Sequence, residues 1–269
     1  MRASRRSSLA PLSIAAYSLI LFASVGKADT VAAPVFSPAA GTYTAAQVVS
    51  ISTTTSGASI NYTTDGSTPS DTAGTLYTGP ITISGTTTVK AVAYASGLTN
   101  STVRTATYTI RAVAPTFSPA GGTYTAPQTV TLSTTTSGAS INYTNDGSTP
   151  SDTAGTLYTG PITVSGTTTV KAVAFATGLT NSTVSTATYT IRAVAPTFTP
   201  PGGTYTAAQT VTLSTTTSGA SINYTTGGST PSDSAGTLYT GPITVSGTTT
   251  VKAVAYAGGL TTSTVSTAT

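Results

Sequence analysis

Apolar and polar residues alternate in short runs along this chain, and the runs come in the same order three times over. In the middle third, Gln128 to Thr134 sets Val130 and Leu132 on one face, and Ser140 to Thr144 sets Ile141 and Tyr143 on one face. Thr168 to Ala176 is the clearest run, with Val170, Ala172 and Ala174 on one side and Lys171, Val173 and Phe175 on the other. Ser182 to Ile191 closes the series with Ala187, Tyr189 and Ile191 in alternation. A period of two marks half-buried β-strands. Thr156 to Val164 reads as a further strand broken by Gly160-Pro161, and Ala114 to Pro119, with its two prolines, as an edge strand. Gly121-Gly122 and Gly178 read as turns, and Asn145 to Asp152 as a dense turn cluster. No window of helical period is long enough for a helix.

The repeat length is 81 residues: Phe36, Phe117 and Phe198 match, as do Lys90, Lys171 and Lys252. From Val113 to Thr188 the second copy differs from the third at nine positions. That period is too long for a hairpin or a solenoid rung and suits a small domain. The chain divides into a leader, 1–28, and three units, 29–111, 112–192 and 193–269. Each unit carries six or seven short strands with frequent turn signals, which predicts an all-β fold: three tandem immunoglobulin/fibronectin-like antiparallel β-sandwiches. The Cys and Trp marks of antibody domains are absent, so the fibronectin-like variety is expected. The third copy stops at Thr269, aligned with Thr188, without the closing Tyr-Thr-Ile; it is expected to be the least stable.

Charge sharpens this picture by subtraction. The formal charge is +4, but Arg2, Arg5, Arg6 and Lys27 all lie in the leader. Beyond residue 28, six basic residues face six aspartates, for a net charge of zero. Clustered Lys and Arg are what grip phosphate, so nucleic acid is not an expected partner. In the leader a basic start precedes the apolar run Leu9 to Ala23, and Gly26 and Ala28 stand before Asp29. This describes a bacterial-type secretory signal peptide, with export by the general or the twin-arginine route and a secreted or cell-surface destination. The run falls short of the roughly 20 residues that cross a bilayer, so no stable membrane span is expected after cleavage.

The run Ile60-Asn61-Tyr62-Thr63-Thr64-Asp65-Gly66-Ser67-Thr68-Pro69-Ser70, then Leu76-Tyr77-Thr78-Gly79-Pro80-Ile81 and Val89-Lys90-Ala91-Val92-Ala93, resembles the chitobiase/β-hexosaminidase C-terminal domain family. Phe36-Ser37-Pro38 and Gly41-Thr42-Tyr43 fit the same pattern. The resemblance covers each unit nearly end to end. It implies an immunoglobulin-like accessory module of secreted bacterial proteins, often set beside polysaccharide-degrading domains or arrayed on surface proteins. The catalytic residues of the namesake enzymes belong to another domain that nothing here matches.

Candidate chemistry is sparse. There is no His, Cys, Glu or Trp, so imidazole-dependent nucleophilic catalysis is excluded and the ligands that zinc prefers are absent; neither enzyme activity nor a cofactor is expected. Asp65 with Asp71, and Asp146 with Asp152, sit in turn clusters, where Asp bonds to nearby backbone; a calcium site is the alternative reading of the same residues. Asn61-Tyr62-Thr63 and Asn100-Ser101-Thr102 fit the glycosylation sequon, read as chance in a Ser- and Thr-rich chain. Aromatics recur at fixed places. Tyr62 and Tyr108 share faces with core residues, whereas Tyr77, Tyr94, Tyr158, Phe175, Tyr239 and Tyr256 are the candidates for carbohydrate contact, with core packing as the competing reading.

The connections Ile110 to Pro115 and Ile191 to Pro196 are not Gly/Ser tethers. Strand-to-strand joints stiffened by proline predict a monomeric, semi-rigid rod of about 60–100 Å for three units. Two functions fit: a structural spacer, or a weak array binding cell-wall or extracellular polysaccharide.

Overall fold

Two β-sheets face one another in each unit, with the side chains of alternate positions interleaved between them. The computed structural model describes residues 29–269; the leader read from residues 1–28 lies outside the described residues. Unit one has eight strands: β1 (Val35–Ser37), β2 (Gly41–Tyr43), β3 (Gln47–Ser52), β4 (Ser59–Thr63), β5 (Thr75–Leu76), β6 (Ile81–Ile83), β7 (Thr87–Tyr94) and β8 (Arg104–Ile110). One sheet runs β1-β3-β6 and the other β2-β8-β7-β4-β5. Between them lie Val49, Ile51, Ile60, Val89, Ala91 and Tyr108, all buried. Each such side chain contributes on the order of 1.5–3 kcal/mol when fully buried. Unit two repeats this plan strand for strand.

The alternation read from the sequence holds. Val130 and Leu132 are buried, as are Val170, Ala172 and Ala174, and Ala187, Tyr189 and Ile191. Three local expectations change. Thr156 to Val164 is two strands in different sheets: Thr156–Leu157 pairs with Ser140–Thr144, and Ile162–Val164 pairs with Gln128–Ser133. Gly160-Pro161 marks the crossing, because Pro cannot donate to a ladder. Gly121-Gly122 does not simply turn the chain; Gly122–Tyr124 is a strand lying parallel to the last one, with Gly122 opposite Tyr189. The last strand also starts late, at Ser185.

That parallel pair, β2 with β8 in unit one, contrasts with the antiparallel pairing of the other named strands of the unit. β1 lies in one sheet and β2 in the other, with the cis Ser37-Pro38 bond between them. The chain enters at Val31, bonded to Thr99 just ahead of β8, and leaves past Ile110 at the far end of β8. Entry and exit therefore stand at opposite ends of the unit.

Among the described residues unit three shows no such edge. Its larger sheet has four strands, no strand forms at Gly203–Tyr205, and Val251–Tyr256 starts two residues later than its counterparts. Val211 is 9% exposed where Val49 and Val130 are fully buried, and Tyr205 is 43% exposed.

Candidate functional site

The outward face of the larger sheet is not bare. Val92 and Asn61 point away from the core, on strands whose neighbours Ala91, Ala93 and Ile60 point into it, yet both are buried. The turn cluster after β4 accounts for this by folding back as a flap. Asn61 Nδ2 donates to the Ser70 carbonyl (2.8 Å), Thr63 Oγ1 to the Ser67 carbonyl (2.7 Å) and Lys90 Nζ to the Gly66 carbonyl (2.6 Å), and Pro69 is buried. Gly74 closes the flap at φ +107°, with a Cβ there falling 2.9 Å from the Tyr62 carbonyl oxygen, so only glycine fits. Units two and three repeat the anchors through Asn142, Thr144 and Lys171, and through Asn223, Thr225 and Lys252.

Within the flap, Asp65 accepts from the Ser67 hydroxyl (2.6 Å) and the Ser67 N–H (3.0 Å), the Asx arrangement expected of Asp in such a turn. These bonds, led by the hydroxyl, hold its carboxyl below the usual aspartate range; Lys90 adds a smaller pull. Asp146 is held the same way by Ser148. Gly227 takes this place in unit three without loss of the flap, since Asn223 and Lys252 keep their bonds.

The candidate aromatics fall into two sets. Tyr77, Tyr158 and Tyr239 are half-buried against the cores and meet Tyr62, Tyr143 and Tyr224 edge to face, with centroids 6.3, 6.5 and 6.3 Å apart. Tyr94 and Tyr256 lie on the outward face, their hydroxyls donating to Asn61 and Asn223 Oδ1 at 3.3 Å. Phe175 holds this position in unit two without a hydroxyl, and Asn142 there bonds the Ser151 and Asp152 carbonyls. Exposed Leu76, Leu157 and Leu238 stand on the edge strand beside these asparagines.

Sequence reasoning did not reach the contacts at the joint. Ile110 is the last core residue of unit one and Ala112 the first of unit two, so Arg111 alone separates two hydrophobic cores. The loop Gly178-Leu179-Thr180 of unit two docks there. Thr180 N–H donates to the Ile110 carbonyl (2.8 Å), Ala112 N–H to the Thr180 carbonyl (2.9 Å) and Thr86 N–H to the Gly178 carbonyl (3.3 Å). Leu179 packs against the core of unit one. A Cβ on Gly85 would stand 3.0 Å from the Gly178 oxygen, so the joint closes on bare backbone. Just beyond, Val113 is clamped by Thr136 Oγ1 (2.7 Å) and Thr134 Oγ1 (2.7 Å). The second joint repeats the set with Ile191, Ala193, Thr167 and the loop Gly259-Leu260-Thr261. Asp29 to Val31 bond to Thr99 in the same manner, standing where Ile110 to Ala112 stand.

Among the described residues no helix is long and apolar enough to cross a membrane. No curated protein matches the chain. Solved structures similar to it include fibronectin(III)-like modules of CbhA from Clostridium thermocellum (15% identity, 59% of this chain and 93% of that one, TM-score 0.22). Others are domains 7, 8 and 9 of the S-layer protein SbsC (14%, 69% and 69%, TM-score 0.24) and chicken CNTN1 FN1-FN3 (13%, 89% and 97%, TM-score 0.22). The family model for the chitobiase/beta-hexosaminidase C-terminal domain matches residues 38–107, 119–195 and 200–267, one match to each sandwich. On that threefold match, which takes in most of the sequence, the chain belongs to the chitobiase/beta-hexosaminidase C-terminal domain family.

Proposed function

We propose that this is a non-catalytic, exported spacer: a stiff monomeric row of accessory modules that holds other material at a set distance, secreted or at a cell surface and associated with polysaccharide-processing or surface proteins. The observation that carries this reading is the joint. A linker of one residue, flanked by core residues and bonded by a loop of the next unit, leaves no free segment about which the units can swing. Interfaces between domains permit motion by default unless they are large or tightly held. Here backbone hydrogen bonds and a leucine plug hold the joint, and both copies use the same atoms. The sparsely charged, imidazole-free composition supports a role without chemistry of its own. Small-angle scattering should give an elongated particle of about 60–100 Å. Replacing Leu179 and Leu260 by Ser should broaden its distance distribution. A compact particle, or a distribution unmoved by the double substitution, refutes the spacer.

A second reading, a weak chitin- or glycan-binding array, draws on the outward face, where Tyr94, Phe175 and Tyr256 recur beside exposed leucines. Aromatic faces suit sugar rings, and repetition adds avidity. Tyr77, Tyr158 and Tyr239 share the candidate set but spend much of their ring surface on the core. Retention on insoluble chitin or cellulose, lost on changing Tyr94, Phe175 and Tyr256 to Ala, would favour the array; no retention by the intact chain removes it.

A further inference from the structure

Tension along the chain would meet unit one in a single geometry. The chain comes in at Val31, beside the start of β8, and goes out past Ile110, at the end of β8. Between these points β2 lies parallel to the last residues of β8, with Gly41 opposite Tyr108, Thr42 opposite Thr109 and Tyr43 opposite Ile110. A pull on the two ends drags β2 backward from its N-terminal side and β8 forward from its C-terminal side, so the pair is loaded along its own length. The rungs of a parallel ladder are evenly spaced, and under such a load they share the force and yield together. We propose that β2 and β8 form a load-bearing clamp, and that the chain is a tether carrying tension between its attachments. The load rests on the spacer reading; the clamp is a property of the unit itself.

Side chains reinforce the same line. The Tyr108 hydroxyl donates to the Pro38 carbonyl (2.8 Å), just ahead of β2, and its ring stacks on Tyr43 at 6.2 Å. Tyr43 is tied by its own hydroxyl to the Ala39 carbonyl (2.6 Å), and its carbonyl accepts the N–H of Arg111 (2.9 Å), the first residue past β8. Strand β1 takes the pull before β2 does. It pairs with β3 from Val35 opposite Ser52 to Ser37 opposite Ser50, and it too is loaded lengthwise. Unit two repeats the clamp with Gly122–Tyr124 against Tyr189–Ile191. There Tyr189 donates to the Pro119 carbonyl (2.7 Å) and stacks on Tyr124 at 6.1 Å. Keeping a set length does not require the first and last strands to be parallel neighbours; resisting a pull on both ends does call for strands loaded this way.

The chain has no cysteine, so paired substitutions give unique handles for single-molecule pulling on the full chain. Val35→Cys with Thr116→Cys pulls unit one end to end and releases one 81-residue repeat. Thr42→Cys with Thr75→Cys pulls β2 against β5, the two edges of the larger sheet, and peels strands sideways. All four positions are exposed. Forced unfolding follows the unfolding rate rather than the equilibrium stability, and the end-to-end force should be at least about twice the sideways force. Tyr108→Phe, which cuts the bond to Pro38, should lower the end-to-end force. Asn61→Ala, which loosens the flap away from β2 and β8, should leave that force unmoved, even where a denaturant melt gives it the larger loss of stability. Equal forces in the two directions, or forces that fall in step with equilibrium stability in both variants, overturn the clamp. A weak end-to-end response in a chain that scatters as a rod overturns the clamp and leaves the spacer. A strong one in a chain that scatters as a loose string keeps the clamp and removes the spacer.

Discussion

Units two and three differ at nine positions from Val113 to Thr188, and among the described residues the larger sheet has five strands in one and four in the other. Substitution has little part in this. Gly227 replaces an aspartate that bonds its own turn, and the flap survives because Asn223 and Lys252 anchor it from the sheet. Phe175 and Tyr256 occupy one position without and with a hydroxyl, and both strands keep the same register. What separates the units among the described residues is the segment Tyr189–Ile191. It closes the core with two large buried side chains, pairs with Gly122–Tyr124, and carries the carbonyl on which the next unit docks. A small domain with a thin core tolerates changes on its faces and depends on its closing strand.

The largest expected effect is the order of melting. In a polypeptide cut at Thr269, which removes the counterparts of Tyr189 and Ile191 worth about 1.5–3 kcal/mol each, unit three should unfold first. Calorimetry should resolve an early transition, and limited proteolysis should cut within 193–269 before it cuts elsewhere. Next, Ile191→Ala should bring unit two down by about 2–5 kcal/mol, shifting its transition towards that of unit three in a denaturant melt. Asn142→Ala should cost unit two about 1–3 kcal/mol by removing the two hydrogen bonds that tie the flap to the sheet, about 0.5–1.5 kcal/mol each. Tyr189→Phe removes one hydrogen bond, about 1 kcal/mol, and with it a pH response. Burial first, and Tyr124 second, push the Tyr189 phenol above its ordinary value. Its stabilising effect is therefore complete below the ordinary tyrosine pKa, near 10, and is lost as pH rises through the raised folded value. Units one and two should soften in alkali through Tyr108 and Tyr189, and unit two should lose that dependence in the Phe variant. Smallest of all, Asp146→Gly should barely move the melting temperature at neutral pH, as unit three already carries Gly there. Because the Asp146 carboxyl is held below its usual range, the contribution it does make is present above that range and fades as pH falls through the lowered value.

Strand positions, core faces and the inward place of Tyr108 were legible, because alternation reports burial directly. So was the Asx turn at Asp65, a bond between neighbours in sequence. Asn61 and Lys90 were visible as members of a motif, but not as the anchors of a flap. The available signal was an asparagine inside a strand, where that residue is disfavoured without a partner. The joint was out of reach for a different reason. Gly178 to Thr180 reads as an ordinary turn, and its partners Thr86 and Ile110 lie in another unit, so no local pattern connects them. The parallel strand at Gly122 was hidden because paired glycines signal turns more strongly than three residues signal a strand.

The 81-residue repeat, complete in unit two, carries both halves of the coupling: a Gly-Leu-Thr loop that plugs into its predecessor and, in its last strand, a socket for its successor. A duplicated block would arrive with its fit to both neighbours already made. Tandem arrays of this sequence can therefore lengthen by whole copies, with the pitch from one copy to the next unchanged and no new contact to evolve.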